Sequence, residues 1–131
     1  MTEAGGRVDA VPATPAAAPA VPAVRAAPAV PVAEVATLLR EILSGQRQVR
    51  PLDPRRLWSM TAFGPCALLC DGWRLAFQAD DGGLDRIESV VAPDGRQSGW
   101  TEWLAAGEVN PADALDAGEF HELEARLREC R

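Results

Sequence analysis

The stretch from Cys66 to Phe77, CALLCDGWRLAF, decides the fold because Asp71-Gly72 sits between two apolar runs. Asp-Gly so flanked is a strong hairpin signal, since a two-residue turn with positive φ matches the right-handed twist of paired strands. Such a loop pairs Cys70 with Trp73, Leu68 with Leu75 and Cys66 with Phe77. Directly paired residues share a face. One side of the hairpin therefore reads Cys66, Leu68, Cys70, Trp73, Leu75 and Phe77, which is the expected core. The other side, Ala67, Leu69, Arg74 and Ala76, is only half polar.

Downstream, Asp80-Asp81-Gly82-Gly83 makes a second turn, and Leu84–Ala92 reads as a third strand. Its alternation is imperfect: Leu84, Arg86, Glu88 and Val90 fall on one face, and Asp85, Ile87, Ser89 and Val91 on the other. Pro93-Asp94-Gly95 ends it, and Gln97–Trp100 offers a short fourth strand. Pro65 places the start of the first strand at an edge or a bend.

Upstream, Val35, Leu38, Leu39, Ile42 and Leu43 recur at helical spacing, between Pro31 and Gly45. Those are helix start and stop signals, and they predict a helix from Val32 or Glu34 to Ser44. Asp53-Pro54 opens a short helical turn reaching Trp58. Trp100–Ala106 reads as another turn, with Trp100, Trp103 and Leu104 on one side. Asn110-Pro111 starts a third. Asp116 followed by Glu119 forms a capping-box signature before the closing helix, whose stripe is Phe120, Leu123 and Leu127, extended by Cys130. The expected architecture is α+β: a three- to four-stranded antiparallel meander packed against an N-terminal and a C-terminal helix.

Residues 1–33 differ from the rest. Six prolines among alanine and valine predict a disordered Ala/Pro-rich tail of polyproline II character. Glu3, Asp9, Arg7 and Arg25 cancel there, so the net charge of −6 belongs to residues 34–131, read as one small domain. All 13 basic residues are arginine, a bias that GC-rich coding explains. An acidic domain without a basic stripe argues against nucleic-acid binding. Arginines interrupting the carboxylates argue against a DNA mimic. No apolar run is long enough to span a bilayer, and the proline-broken start argues against a signal peptide. Cys66 and Cys70, about 13 Å apart along a strand, cannot bridge each other. Three cysteines without a local pair fit a reducing compartment, and the cytoplasm is the expected location.

Candidate chemistry is sparse. Asp80, Asp81 and Asp85 offer oxygen ligands for a divalent cation, and a small metal-dependent enzyme built on that loop is the alternative reading. The loop lacks the ligand ladder of an EF-hand, and turn formation explains it. His121 has no nucleophile and orienting carboxylate at a telling spacing. Cys66, Cys70, Cys130 and His121 supply four zinc-ligand types without the knuckle spacing of a zinc finger. No cofactor, metal site or catalytic residue is therefore expected. The compositional oddity is four tryptophans without tyrosine. Trp58 and Trp73 read as core. Trp100 and Trp103, with Arg96, form the candidate binding patch, since Trp and Arg concentrate at interface hot spots.

The order of elements resembles a family of small uncharacterised bacterial single-domain proteins. The residues carrying it are the opening helix ending Leu43-Ser44-Gly45-Gln46-Arg47, then Asp71-Gly72-Trp73-Arg74-Leu75, Ala92-Pro93-Asp94-Gly95-Arg96, Pro111 and the closing Glu/Leu helix. The resemblance covers residues 34–129 and implies fold, not mechanism. The expectation is a non-enzymatic interaction or accessory module whose partner is another protein, with no nucleic acid and no membrane. Its oligomeric state is left open.

Overall fold

A computed structural model describes residues 27–131. Five antiparallel strands follow one another across a single sheet: β1 (Arg50–Pro51), β2 (Gly64–Cys70), β3 (Trp73–Asp80), β4 (Gly83–Val91) and β5 (Gln97–Gly99). Helix α1 (Val32–Leu43) precedes them, and α2 (Trp100–Ala105) and α3 (Ala117–Glu129) follow. The class is α+β, with five strands where three or four are expected. The added strand is β1, two residues long, which pairs Arg50 with Leu69 and Pro51 with Leu68.

The central hairpin has the expected register, with Cys66 opposite Phe77, Leu68 opposite Leu75 and Cys70 opposite Trp73. Asp71 (φ 47°) and Gly72 (φ 89°) both occupy the left-handed region. Asp81 (φ 53°) and Gly82 (φ 80°) repeat that geometry in the loop from β3 to β4. Positive φ at both central residues is the geometry of a type I′ turn, which Asp-Gly supplies at low cost.

Strand β4 departs from simple alternation. Val90, Ile87 and Leu84 face Leu75, Phe77 and Ala79 of β3, and all six are buried. Two register shifts make this possible, one skipping Glu88 and one skipping Asp85. Each is a β-bulge, an extra residue that restarts the inward-facing series. The buried positions therefore fall three apart instead of two.

Val35, Leu38, Leu39 and Ile42 of α1 and Leu123 and Leu127 of α3 close over this face. Asp116 Oδ1 accepts from Glu119 N at 2.7 Å while Glu119 Oε1 accepts from Asp116 N, so the expected capping box starts α3. Arg126 of α3 donates to the carbonyls of Ile42 and Leu43, satisfying the C-terminal end of α1. Arg40 and Glu119 join the two helices again.

The packed unit begins before residue 34. Val30 and Val32 are buried in the core. Val30 N donates to Ser98 Oγ (2.8 Å), and Val30 O accepts from Trp103 Nε1 (2.8 Å). Arg96 donates to Ala29 O and to both carboxylate oxygens of Glu34, while Asp94 holds its Nε. The leading segment is thus strapped to β5 and α2. The tail expected over residues 1–33 lies, for residues 1–26, outside the described residues.

The strap gives a pH prediction. The Arg96 hydrogen bond holds Glu34 below its ordinary value, and the backbone N–H and guanidinium of Arg96 do the same for Asp94. Depressed native carboxyls contribute stability at and above the ordinary carboxylate range, and it is lost as pH falls through the native values. The native chain's resistance to urea should therefore fall on acidification through that range. Arg96→Gln should flatten this acid limb. An unchanged slope in the variant would remove the strap as its source.

Stretches of both sheet edges beyond the short outer strands are occupied or lack a donor. Asn110 accepts from Ile87 N and donates to Ile87 O, both at 2.9 Å, so its carboxamide stands in for a neighbouring strand along β4. Glu124 accepts from Leu84 N further along the same edge. On the opposite edge Pro65, which carries no N–H, extends beyond the short β1.

Candidate functional site

The three candidate binding residues separate on folding. Trp103 is fully buried, with its indole N–H used by Val30 O. It is a core residue and presents no surface. Arg96 is occupied by Asp94, Glu34 and Ala29 O in the strap. Trp100 keeps partial exposure and carries the Arg86 guanidinium over its ring, 4.4 Å from the centroid. Stacking a cation on an indole face is favourable, and Asp85 (3.1 Å) and Glu88 (3.3 Å) fix the same guanidinium from the side.

Trp100 opens onto a groove of about 400 Å³ between α2 and the segment that follows it. Leu104 (65% exposed) and Val109 (59% exposed) stand on its walls. Asp85, Glu108 and Asp113 also line it, and its only arginine is Arg86, already flanked by carboxylates. The groove's lining therefore combines apolar Trp100, Leu104 and Val109 with acidic Asp85, Glu108 and Asp113. Leu104 departs from the expected shared side: successive helical side chains diverge by about 100°, so with Trp103 turned fully into the core its neighbour Leu104 projects outward. Arg86 and Val109 carry no signal in the sequence, because one is set by a bulged strand and the other by a loop.

The titratable candidates do not converge. Among the described residues, no group of three His, Cys, Asp or Glu side chains is placed to hold a metal ion. Asp80 and Asp81 stay exposed in their turn, and Asp85 is paired with Arg86. His121 is exposed on α3. All three cysteines are free and buried. Burial, reinforced by neighbouring Asp71, pushes the Cys70 thiol up to about 11. Burial likewise raises Cys66, whose Sγ donates to Arg56 O, and Cys130. Protonated thiols sealed in a core are poor nucleophiles and poor ligands at neutral pH. No described helix is long and apolar enough to cross a membrane.

These observations define a small α+β domain: a five-stranded antiparallel meander with helices on one face and a groove of mixed apolar and acidic lining beside α2. The chain belongs to the family of the domain of unknown function DUF7693, whose model matches residues 29–129. That span takes in Val30 and Val32 along with the sheet and α3. No curated protein and no solved structure matches the chain.

Proposed function

We propose that this chain is a non-enzymatic protein-interaction module that receives an apolar segment flanked by basic residues in the groove beside Trp100. The observation that carries this reading is the exposure of Leu104 and Val109 next to a tryptophan already stacked under Arg86. Large apolar side chains around an aromatic anchor are the usual centre of an interface. Charge complementarity selects the occupant, because Asp85, Glu108 and Asp113 in the lining favour lysine or arginine on the partner. Free, buried thiols fit work in a reducing compartment, the cytoplasm.

The test is affinity capture with the full chain, followed by mapping of the bound partner's contact segment. Leu104→Glu should weaken capture by about tenfold or more, the scale of losing one anchor. The mapped segment should carry basic residues around an apolar core, and binding should fall as salt rises. Equal recovery by native chain and variant, or a contact segment without basic residues, would refute this reading.

A further inference from the structure

The distribution of arginines marks a second surface. Arg40, Arg47, Arg55, Arg86, Arg96 and Arg126 each lie within ion-pair distance of a carboxylate. Among the described residues, Arg50, Arg56, Arg74, Arg128 and Arg131 have no such partner. Three of these gather on one side of the sheet. Arg50, Leu69, Arg74 and Val91 are successive cross-strand partners, so they form one row on the face turned away from the helices. Ala67 and Ala76 form the next row. Arg56 stands over a shallow pocket of about 320 Å³ bounded also by Leu52, Asp53, Pro65 and the two alanines. Asp53, the acidic residue at its rim, is taken by Arg55.

We infer that this open face of β1–β3 is a docking surface for an acidic, extended polypeptide segment of a partner protein, gripped by Arg50, Arg56 and Arg74. A chain carrying a net charge of −6 disfavours anionic partners in general, so guanidiniums gathered on one face without a carboxylate partner among the described residues set its local preference. Leu69 and Val91 supply apolar contact between and beside them. Asn110, Glu124 and Pro65 interrupt the longer strands' free edges, which favours side-chain recognition across the face over strand addition there. Guanidinium forks match carboxylates in a bidentate geometry.

The spacing selects the form of the segment. Arg50 and Arg74 are two strands apart, about 10 Å. Three residues of polyproline-type chain span about 9 Å and bring every third side chain to the same edge. Carboxylates three residues apart therefore meet both arginines. Single-stranded nucleic acid is the less fitting polyanion, because no aromatic side chain stands in either row to stack a base.

The probe is a fluorescein-labelled peptide of repeated Glu-Val-Pro, titrated into the full chain and read by anisotropy and by amide shifts in NMR spectra. Binding should move the amides of Leu69, Arg74 and Ala76 and weaken with salt. Arg50→Gln/Arg74→Gln should lower affinity about fivefold or more, the sum expected of two exposed ion pairs. Both positions face solvent, and a melting curve matching the native chain's checks the fold. Arg128→Gln/Arg131→Gln should bind as the native chain does. Leu104→Glu should also leave the probe's affinity unchanged, which separates this surface from the groove beside Trp100. The proposal is overturned if a Gln-Val-Pro peptide binds equally well, if the Arg50/Arg74 variant loses nothing, or if oligothymidylate occupies the same residues more tightly at matched salt.

Discussion

Trp103→Ala should lower the stability of this domain by about 3–5 kcal/mol, the largest loss expected from any single truncation here. The side chain is fully buried, and its N–H satisfies a carbonyl in the leading segment. Alanine removes both the indole volume and the partner of Val30 O. The two losses separate experimentally. Trp103→Phe keeps most of the apolar contact but leaves that carbonyl unbonded, and should cost about 1–3 kcal/mol. Urea unfolding monitored by circular dichroism reads both. Since domains of this size are stable by only about 5–15 kcal/mol, the alanine variant should be visibly marginal. An alanine variant that melts like the native chain would mean that Trp103 does not hold the core together.

Asn110→Ala comes next. One side-chain amide serves Ile87 N, Ile87 O and, at 3.1 Å, Ala112 N. Removing it strips three backbone groups of their partners in a partly buried position. A loss of about 2–4 kcal/mol follows, tempered by the access water has to the edge. Asn110→Asp retains the two acceptor roles and loses the donor to Ile87 O, so it should fall between native and alanine. Hydrogen exchange at the Ile87 amide gives a local readout: it should accelerate sharply in the alanine variant. Unchanged exchange there would show that the edge is protected by something other than this carboxamide.

The parts of this fold that could be read in advance are those where local chemistry decides geometry. Asp71-Gly72 accepts two positive φ values and dictates the register on both sides, so the core face of β2 and β3 follows from it. The Asp116/Glu119 pair sets the start of α3 for the same reason. Strand β4 was only half legible. Two bulges place Leu84, Ile87 and Val90 inward at intervals of three, a period belonging to no regular strand. Strand β1 was invisible, because a two-residue strand ending in proline exists only by virtue of the partner it finds at Leu68 and Leu69. Val30 reads as more of the Ala/Pro tail and Val32 as either its end or the start of α1, and only their hydrogen-bonding partners, nearly seventy residues away or more, distinguish them.

The candidate site was legible in residue type and not in position. A tryptophan-rich stretch after the sheet does contain the anchor of the groove, Trp100, yet three residues further on Trp103 turns wholly inward. Nothing local distinguishes the two indoles. What separates them is the distant Val30 carbonyl, which takes one N–H, and the Arg86 guanidinium, which covers the other ring. The arginine-bearing face of β1–β3 is similar. Arg50 and Arg74 are far apart along the chain, and only strand pairing brings them either side of Leu69.

The way the leading segment is fastened has a mechanical corollary. Tension applied to the chain ahead of Ala29 would reach Arg96, Ser98 and Trp103 at the far end of the sheet before stretching any turn of α1. A pull there acts on the last strand and the central indole, so the load is felt first beside the groove rather than at the arginine-bearing face.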